Sequence, residues 1–160
     1  REAVVKSVPT AFETEIKPGD TIIIHHNVFR RWHDVRGNEK NSRSYFDENT
    51  YLVKQDQVFL YKRNGKWKAP KGYCFVQPIK DRTRFGVDEE ESCIGIVKHT
   101  DGSYEKEDLV GFTPFSTYEF VVDGKRLYRV MTQFITIKYE YEGNEEEYNP
   151  SWAESSGGAD

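Results

Sequence analysis

Three histidines, His25, His26 and His33, lie close enough in sequence to raise the question of a metal. Adjacent residues on a strand point to opposite faces, so His25 and His26 are not expected to share an ion. No Cys or carboxylate stands at ligand spacing beside them, and no metal site is predicted. Cys74 and Cys93 fit no zinc or redox spacing. Two reduced strand cysteines is the first reading, and a disulfide between neighbouring strands is the alternative. Arg30, Arg31, Arg36, Lys40 and Arg43 surround Trp32 in a polar stretch, residues 30–44. A basic loop with one aromatic has the chemistry to touch RNA or an acidic surface, but its plainer reading is a solvated loop. No Gly-rich phosphate loop, nucleophile elbow or triad is present. No carboxylate stands out on an apolar strand as a shifted acid would. An enzyme is therefore not expected, and no cofactor is implied.

The totals set the scale. The chain has 160 residues, 36% of them apolar and 14% aromatic, with a net charge of −4. Tyr and Phe are expected to supply much of the core, because each buries a large area. Residues 142–160 hold six acidic residues and no Lys or Arg, so the remainder of the chain carries +2. That mild balance does not suggest nucleic acid, which requires a concentrated basic footprint. No apolar run approaches the roughly 18 residues of a membrane span, and no signal peptide is visible. A cytoplasmic protein is expected. The first residue is Arg1, and a strand-like run begins almost at once, which reads as a processed chain or a fragment.

The elements that must carry any site are strands. Short runs rich in β-branched and aromatic residues recur: 21–24, 51–53, 58–61, 73–76, 94–97, 120–122, 127–130 and 134–137. Asn64-Gly65, Asp101-Gly102 and Asp123-Gly124 punctuate them with the residues tight turns require. No sustained stripe at the 3.6-residue period appears, so helix is not expected before residue 141. The acidic segment 142–160, with Asn149-Pro150 and Ser155-Ser156-Gly157-Gly158, is expected to be disordered.

The runs repeat in order. Val4-Val5-Lys6 matches Ile96-Val97-Lys98, and residues 17–24 match residues 105–112 around Asp20 and Asp108. Tyr51, Val53 and Val58 match Tyr128, Val130 and Ile135. Asp20 precedes Tyr51 by 31 residues and Asp108 precedes Tyr128 by 20, a difference of 11 that falls in the polar stretch 30–44. A surface loop tolerates such an insertion. The segment 69–79 has no partner before Arg1, so the first copy begins partway through its unit.

Pro70-x-Gly72-Tyr73-x-Phe75-Val76-x-Pro78 resembles the opening strand of GroES-type co-chaperonins. Lys17-Pro18-Gly19-Asp20 before Ile22-Ile23-Ile24 resembles that family's Val-Gly-Asp turn, although the second copy has Glu107 where the glycine belongs. Asp123-Gly124, Leu127–Val130 and Phe134–Ile137 resemble its closing strands. The resemblance covers roughly residues 1–141. It implies an all-β chain of two tandem small barrels, the first incomplete at its N-terminus. The expected domains are residues 1–66 and 67–141, followed by the acidic tail 142–160. It also implies a homo-oligomer that assists folding by capping a GroEL-like chaperonin through a loop between the first two strands. In the second copy that loop is residues 80–92. Its apolar contact is Phe85-Gly86-Val87, the candidate partner-binding residues, and a plain solvated loop is the other reading. A phage-encoded relative fits this pattern. A phage structural or assembly protein that reuses the barrel without a chaperonin is the alternative function.

Overall fold

The computed structural model describes residues 1–83, 85 and 88–155. The chain divides into two compact units, Arg1–Pro70 and Lys71–Asp160. In the first, the strands are β1 (Glu2–Val4), β2 (Thr21–Ile24), β3 (Trp32–His33), β4 (Glu39–Lys40), β5 (Tyr45–Asp47), β6 (Thr50–Tyr51), β7 (Val58–Arg63) and β8 (Lys66–Lys68). They form an antiparallel sheet in the order β1-β2-β7-β8 and two separate hairpins, β3-β4 and β5-β6. In the second, the strands are β9 (Tyr73–Lys80), β10 (Glu90–His99), β11 (Leu109–Phe112), β12 (Thr117–Val122), β13 (Lys125–Met131) and β14 (Ile135–Tyr139). They form one antiparallel sheet in the order β12-β13-β9-β10-β11-β14.

The two units repeat one another in backbone detail. Val4 pairs with Thr21, and Ile96 pairs with Leu109. β2 pairs with β7 from Thr21↔Lys62 to Ile24↔Val58 with a bulge after Ile23. β11 pairs with β14 from Leu109↔Tyr139 to Phe112↔Ile135 with a bulge after Gly111, the corresponding place. A 3-10 turn precedes the last strand of each pair, Gln55–Gln57 before β7 and Thr132–Phe134 before β14. His25 N–H donates to the Gln57 carbonyl at 2.9 Å, and Thr113 N–H donates to the Phe134 carbonyl at 3.0 Å.

The turn before β2 and β11 follows the same rule. The Asp20 carboxylate accepts from Lys17 N–H at 2.8 Å, and the Asp108 carboxylate accepts from Glu105 N–H at 3.0 Å. Gly19 takes φ +92°, and Glu107, in its place, takes φ +68°. The turn thus keeps its left-handed residue without the glycine, at a backbone cost of about 1–2 kcal/mol. Asp20 is buried and also accepts from the Arg63 guanidinium at 2.6 Å. That hydrogen bond, with the Lys17 amide, outweighs burial and holds the carboxyl below its usual range. Lys138 serves Asp108 at 2.9 Å from a different strand position.

The cores differ by one strand. In the second unit, Val97, Val110, Phe112, Val130 and Ile135 pack with Cys74 and Val76 of β9. In the first, the corresponding Val5, Ile22, Ile24, Val53 and Val58 pack together with Val28 and Phe29 of the 3-10 turn, and no strand equivalent to β9 pairs with them among the described residues. β9 lies between β10 and β13, so it joins the hairpin β12-β13 to the rest of the sheet. In the first unit the matching strands, β1 and β6, lie in separate sheets.

Two closed barrels were the expectation, and the architecture differs. Among the described residues the fold is mostly β, but every sheet is open, and the six-stranded one ends on β12 and β14. Residues 142–155 also depart from the expected disorder. β13 pairs with β9 only as far as Val76. Beyond it, Lys80 N–H donates to the Glu146 carbonyl and Tyr148 N–H to the Pro78 carbonyl, both at 2.8 Å, around an Ile79↔Glu147 bridge. Asn149 bonds to Arg126 N–H and to the Gly124 carbonyl, each at 3.0 Å. The short helix α1 (Ser151–Ser155) follows and buries Ala153. The acids here find cations: Glu146 meets Lys80, Glu145 meets Arg82, and Glu147 meets Lys98 and Lys125.

Candidate functional site

The loop between β9 and β10 is built from its base upward. Asp81 N–H donates to the Glu89 carbonyl at 2.8 Å, closing the neck. The Asp81 carboxylate accepts from both the amide and hydroxyl of Thr83, at 2.8 and 2.6 Å, which turns the chain. Arg82 lies back across the neck, reaching Glu91 at 2.9 Å, Glu145 at 3.2 Å and Glu142 at 3.3 Å. One guanidinium thus ties both sides of the loop to the acidic segment after β14. Such a fork suits several carboxylates at once.

Phe85 projects from this neck with its side chain fully exposed. Gly86 and Val87 lie outside the described residues. The four acids that follow do not share one fate. Asp88 and Glu89 are exposed. Glu90 accepts from the Arg126 guanidinium and the Tyr128 hydroxyl, and Glu91 is held by Arg82. Glu90 and Glu91 are therefore tied to cations at the base of the loop.

The histidines resolve differently from the strand argument. β2 ends at Ile24, and residues 26–29 form a 3-10 turn capped by His25, whose Nδ1 accepts from Asn27 N–H at 3.1 Å. The bend stacks the rings of His25 and His26 at 4.4 Å instead of sending them to opposite faces. Among the described residues no group of three His, Cys, Asp or Glu could hold a metal ion. Both cysteines are free thiols; Cys74 is buried, and burial pushes its thiol pKa up. The basic stretch 30–44 contains the hairpin β3-β4, turned by Asp34, whose carboxylate accepts from Arg36 and Asn38 N–H at 2.9 Å each. Trp32 on this hairpin is half exposed.

No family model, curated protein or solved structure matches the chain. No helix among the described residues is long and apolar enough to cross a membrane.

Sequence reasoning singled out Phe85 as a candidate contact and missed Arg82 as the organiser of the neck. The signal was there in part: Lys80 and Arg82 oppose the acidic cluster 145–147, two runs of opposite charge more than 60 residues apart. Nothing local pairs them. Also missed were Val4 and Leu52, large apolar side chains left 70% and 64% exposed along the edges of β1 and beside β6.

Proposed function

We propose that the chain works by binding, as a co-chaperonin-like protein that assists folding by docking on or capping a chaperonin, with Phe85, Gly86 and Val87 as the contact. The observation that carries this reading is the exposed Phe85 ring on a loop between the first two strands of the second unit. That is where the GroES-type resemblance puts the docking loop. Burying Phe85 on a partner contributes roughly 1.5–3 kcal/mol, which is weak for a single copy. The proposal therefore includes a homo-oligomer, whose several loops engage together and gain avidity. Asp88 and Glu89, exposed in the free protein, stay in water in such a complex, because burying a carboxylate costs more than one ring returns.

The test is a calorimetric titration of the protein against a nucleotide-bound chaperonin, with Phe85→Ala and Val87→Ala. Binding that both substitutions weaken supports the reading. Binding that neither weakens excludes this loop as the contact. A second reading, a phage structural or assembly protein without a chaperonin partner, is favoured by one feature: the loop is highly charged and has no branched apolar triplet. Absence of any binding supports that second reading.

A further inference from the structure

The first unit has a charge that the whole chain conceals. Residues 1–70 hold 13 Lys and Arg against 9 Asp and Glu, and residues 71–160 hold 10 against 18. The net charge of −4 is therefore +4 in the first stretch and −8 in the second. A weak overall balance is compatible with a local basic footprint. The stretch 30–44 has two acids, Asp34 and Glu39, and they serve Lys40 and Arg31. Among the described residues that leaves the guanidinium groups of Arg30, Arg36 and Arg43 without a carboxylate partner.

These cations meet a row of rings. Arg1, His26, Phe29, Arg30, Arg31 and Tyr51 line one cavity of about 490 Å³, and none of these residues is acidic. The 3-10 turn His26–Phe29 supplies one wall. Val28, fully buried, pins that turn to the core, and its carbonyl accepts from the Ser42 hydroxyl at 2.5 Å. Arg30 caps the turn, its N–H donating to the Asn27 carbonyl at 3.3 Å. The Arg1 carbonyl accepts from Ile24 N–H at 3.0 Å, which holds Arg1 beside the end of β2. Phe29 and Tyr51 are partly buried against the core and meet edge to face at 4.8 Å. Tyr45 meets Tyr51 in the same way at 5.8 Å. The Arg1 guanidinium lies 5.6 Å from the centre of the Phe29 ring. The rings are thus anchored from below, and the cations share their opening.

Each part of this arrangement selects a feature of a ligand. Guanidinium groups favour phosphate, which their planar fork grips at two points. Partly exposed rings and guanidinium planes take the flat face of a base. The volume is that of a small-molecule site, and a lone phosphate would leave most of it to water. An acidic peptide matches the charge but offers the rings no flat partner. We propose that this cavity is a binding site for a nucleotide unit, one base with its phosphate, presented by a free nucleotide or by a single-stranded nucleic acid. The phosphate lies against Arg1, Arg30 and Arg31, and the base against Phe29 and Tyr51. Arg36 and Arg43 add attraction at longer range. This inference stands apart from the Phe85 loop, which belongs to the other unit.

The test titrates the full chain with adenosine monophosphate, an oligoadenylate decamer, inorganic phosphate, adenosine and polyglutamate, followed by amide NMR shifts and calorimetry. The expected result is saturable binding of the monophosphate or the decamer, with shifts centred on residues 26–31, 45 and 51. Phosphate alone should bind about tenfold more weakly than the monophosphate, because it lacks the stacked base. Adenosine should lose a similar factor, because it lacks the charge-assisted contacts. A decamer that binds far more tightly than the monophosphate assigns the single strand as ligand, and equal affinities assign the free nucleotide. Arg30→Gln, at an exposed position, should keep the melting temperature. It should weaken both nucleotide ligands by about tenfold and make decamer binding less sensitive to salt. Phe29→Leu should weaken them by a similar factor and leave phosphate as it was. The comparison of monophosphate with phosphate tests the base independently of any variant. Lys66→Gln removes an exposed cation of the same unit and should change nothing. Four results would overturn the proposal: no saturable binding of either nucleotide ligand, monophosphate binding no tighter than phosphate, polyglutamate binding as tightly as the decamer, or Lys66→Gln costing as much as Arg30→Gln.

Discussion

Val97 and Val5 hold the same place in two copies of one backbone plan, yet the first is sealed beneath β9 and the second is only partly covered. The turn at Asp20 and Asp108, the bulge before the end of β2 and β11, and the 3-10 turn before β7 and β14 recur in both units. These features depend on a few residues each and form wherever those residues stand. Joining the hairpin to the sheet is a different matter. It requires a strand from outside the local segment, and among the described residues β9 supplies one to the second unit alone. Local structure in this molecule is thus independent of closure, and the difference between the units isolates what closure adds.

The largest expected effect tests that difference directly. Val97→Ala should cost roughly 2–3 kcal/mol, since the cavity it leaves is walled by β9 and β11. Val5→Ala should cost under about 1 kcal/mol, because its site is already partly open. Urea unfolding, with hydrogen exchange to assign each loss to its unit, measures both. Equal losses would mean that β9 adds little to the second core.

A second difference is sensitive to pH. His99 pairs with Phe75 across β9 and β10, and its Nδ1 is buried without a hydrogen-bond partner among the described residues. Burial first, then nearby Lys106, lowers its pKa from 6.5 to about 4. Above pH 6.5 the ring is neutral whether folded or not and contributes nothing. As the pH falls from 6.5 towards 4, the unfolded chain takes up a proton that the folded one refuses, so stability falls. The loss should be about 2 kcal/mol between pH 7 and pH 5. Ser7 holds the matching place in the first unit and does not titrate. Exchange rates at the two pH values, corrected for intrinsic chemistry, should show the loss in residues 71–155 and not in 1–70. His99→Phe should abolish that dependence.

The smallest effect concerns the turn. Glu107→Gly should stabilise the second unit by about 1 kcal/mol by relieving the left-handed backbone, less whatever its ion pair with Lys98 returns. Gly19→Glu should destabilise the first unit by a similar amount. Paired denaturation curves check both, and a loss on Glu107→Gly would show that the ion pair outweighs the strain.

Much of this plan was legible in the residues. The Asp20/Asp108 and Tyr51/Tyr128 matches, and the 11-residue difference between them, correspond to real registers, because turn and bulge chemistry acts over short spans. The bridging position of β9 was not legible, since nothing in Tyr73–Lys80 names β13 as a neighbour. The ordering of residues 142–155 was hidden for a similar reason. Composition marks six acids as solvated, but Lys80, Arg82, Lys98 and Lys125, which hold four of them, lie 22 to 66 residues away. The loop itself was legible as a charged connection with one ring. That Arg82 fastens its neck follows only from the folded chain.

The hairpin β3-β4 has a consequence of another kind. It occupies the stretch where the first copy is 11 residues longer than the second, and the bulge, the 3-10 turn and the register on either side are the same with it as without it. Its tip, with Val35 wholly exposed, is stabilised from within by Asp34. Selection can therefore rewrite this segment at little cost to the frame, and so can an experimenter. A reporter peptide inserted between Arg36 and Gly37 would travel with the unit as a passenger, and the same latitude makes this corner where related chains are free to acquire new surfaces.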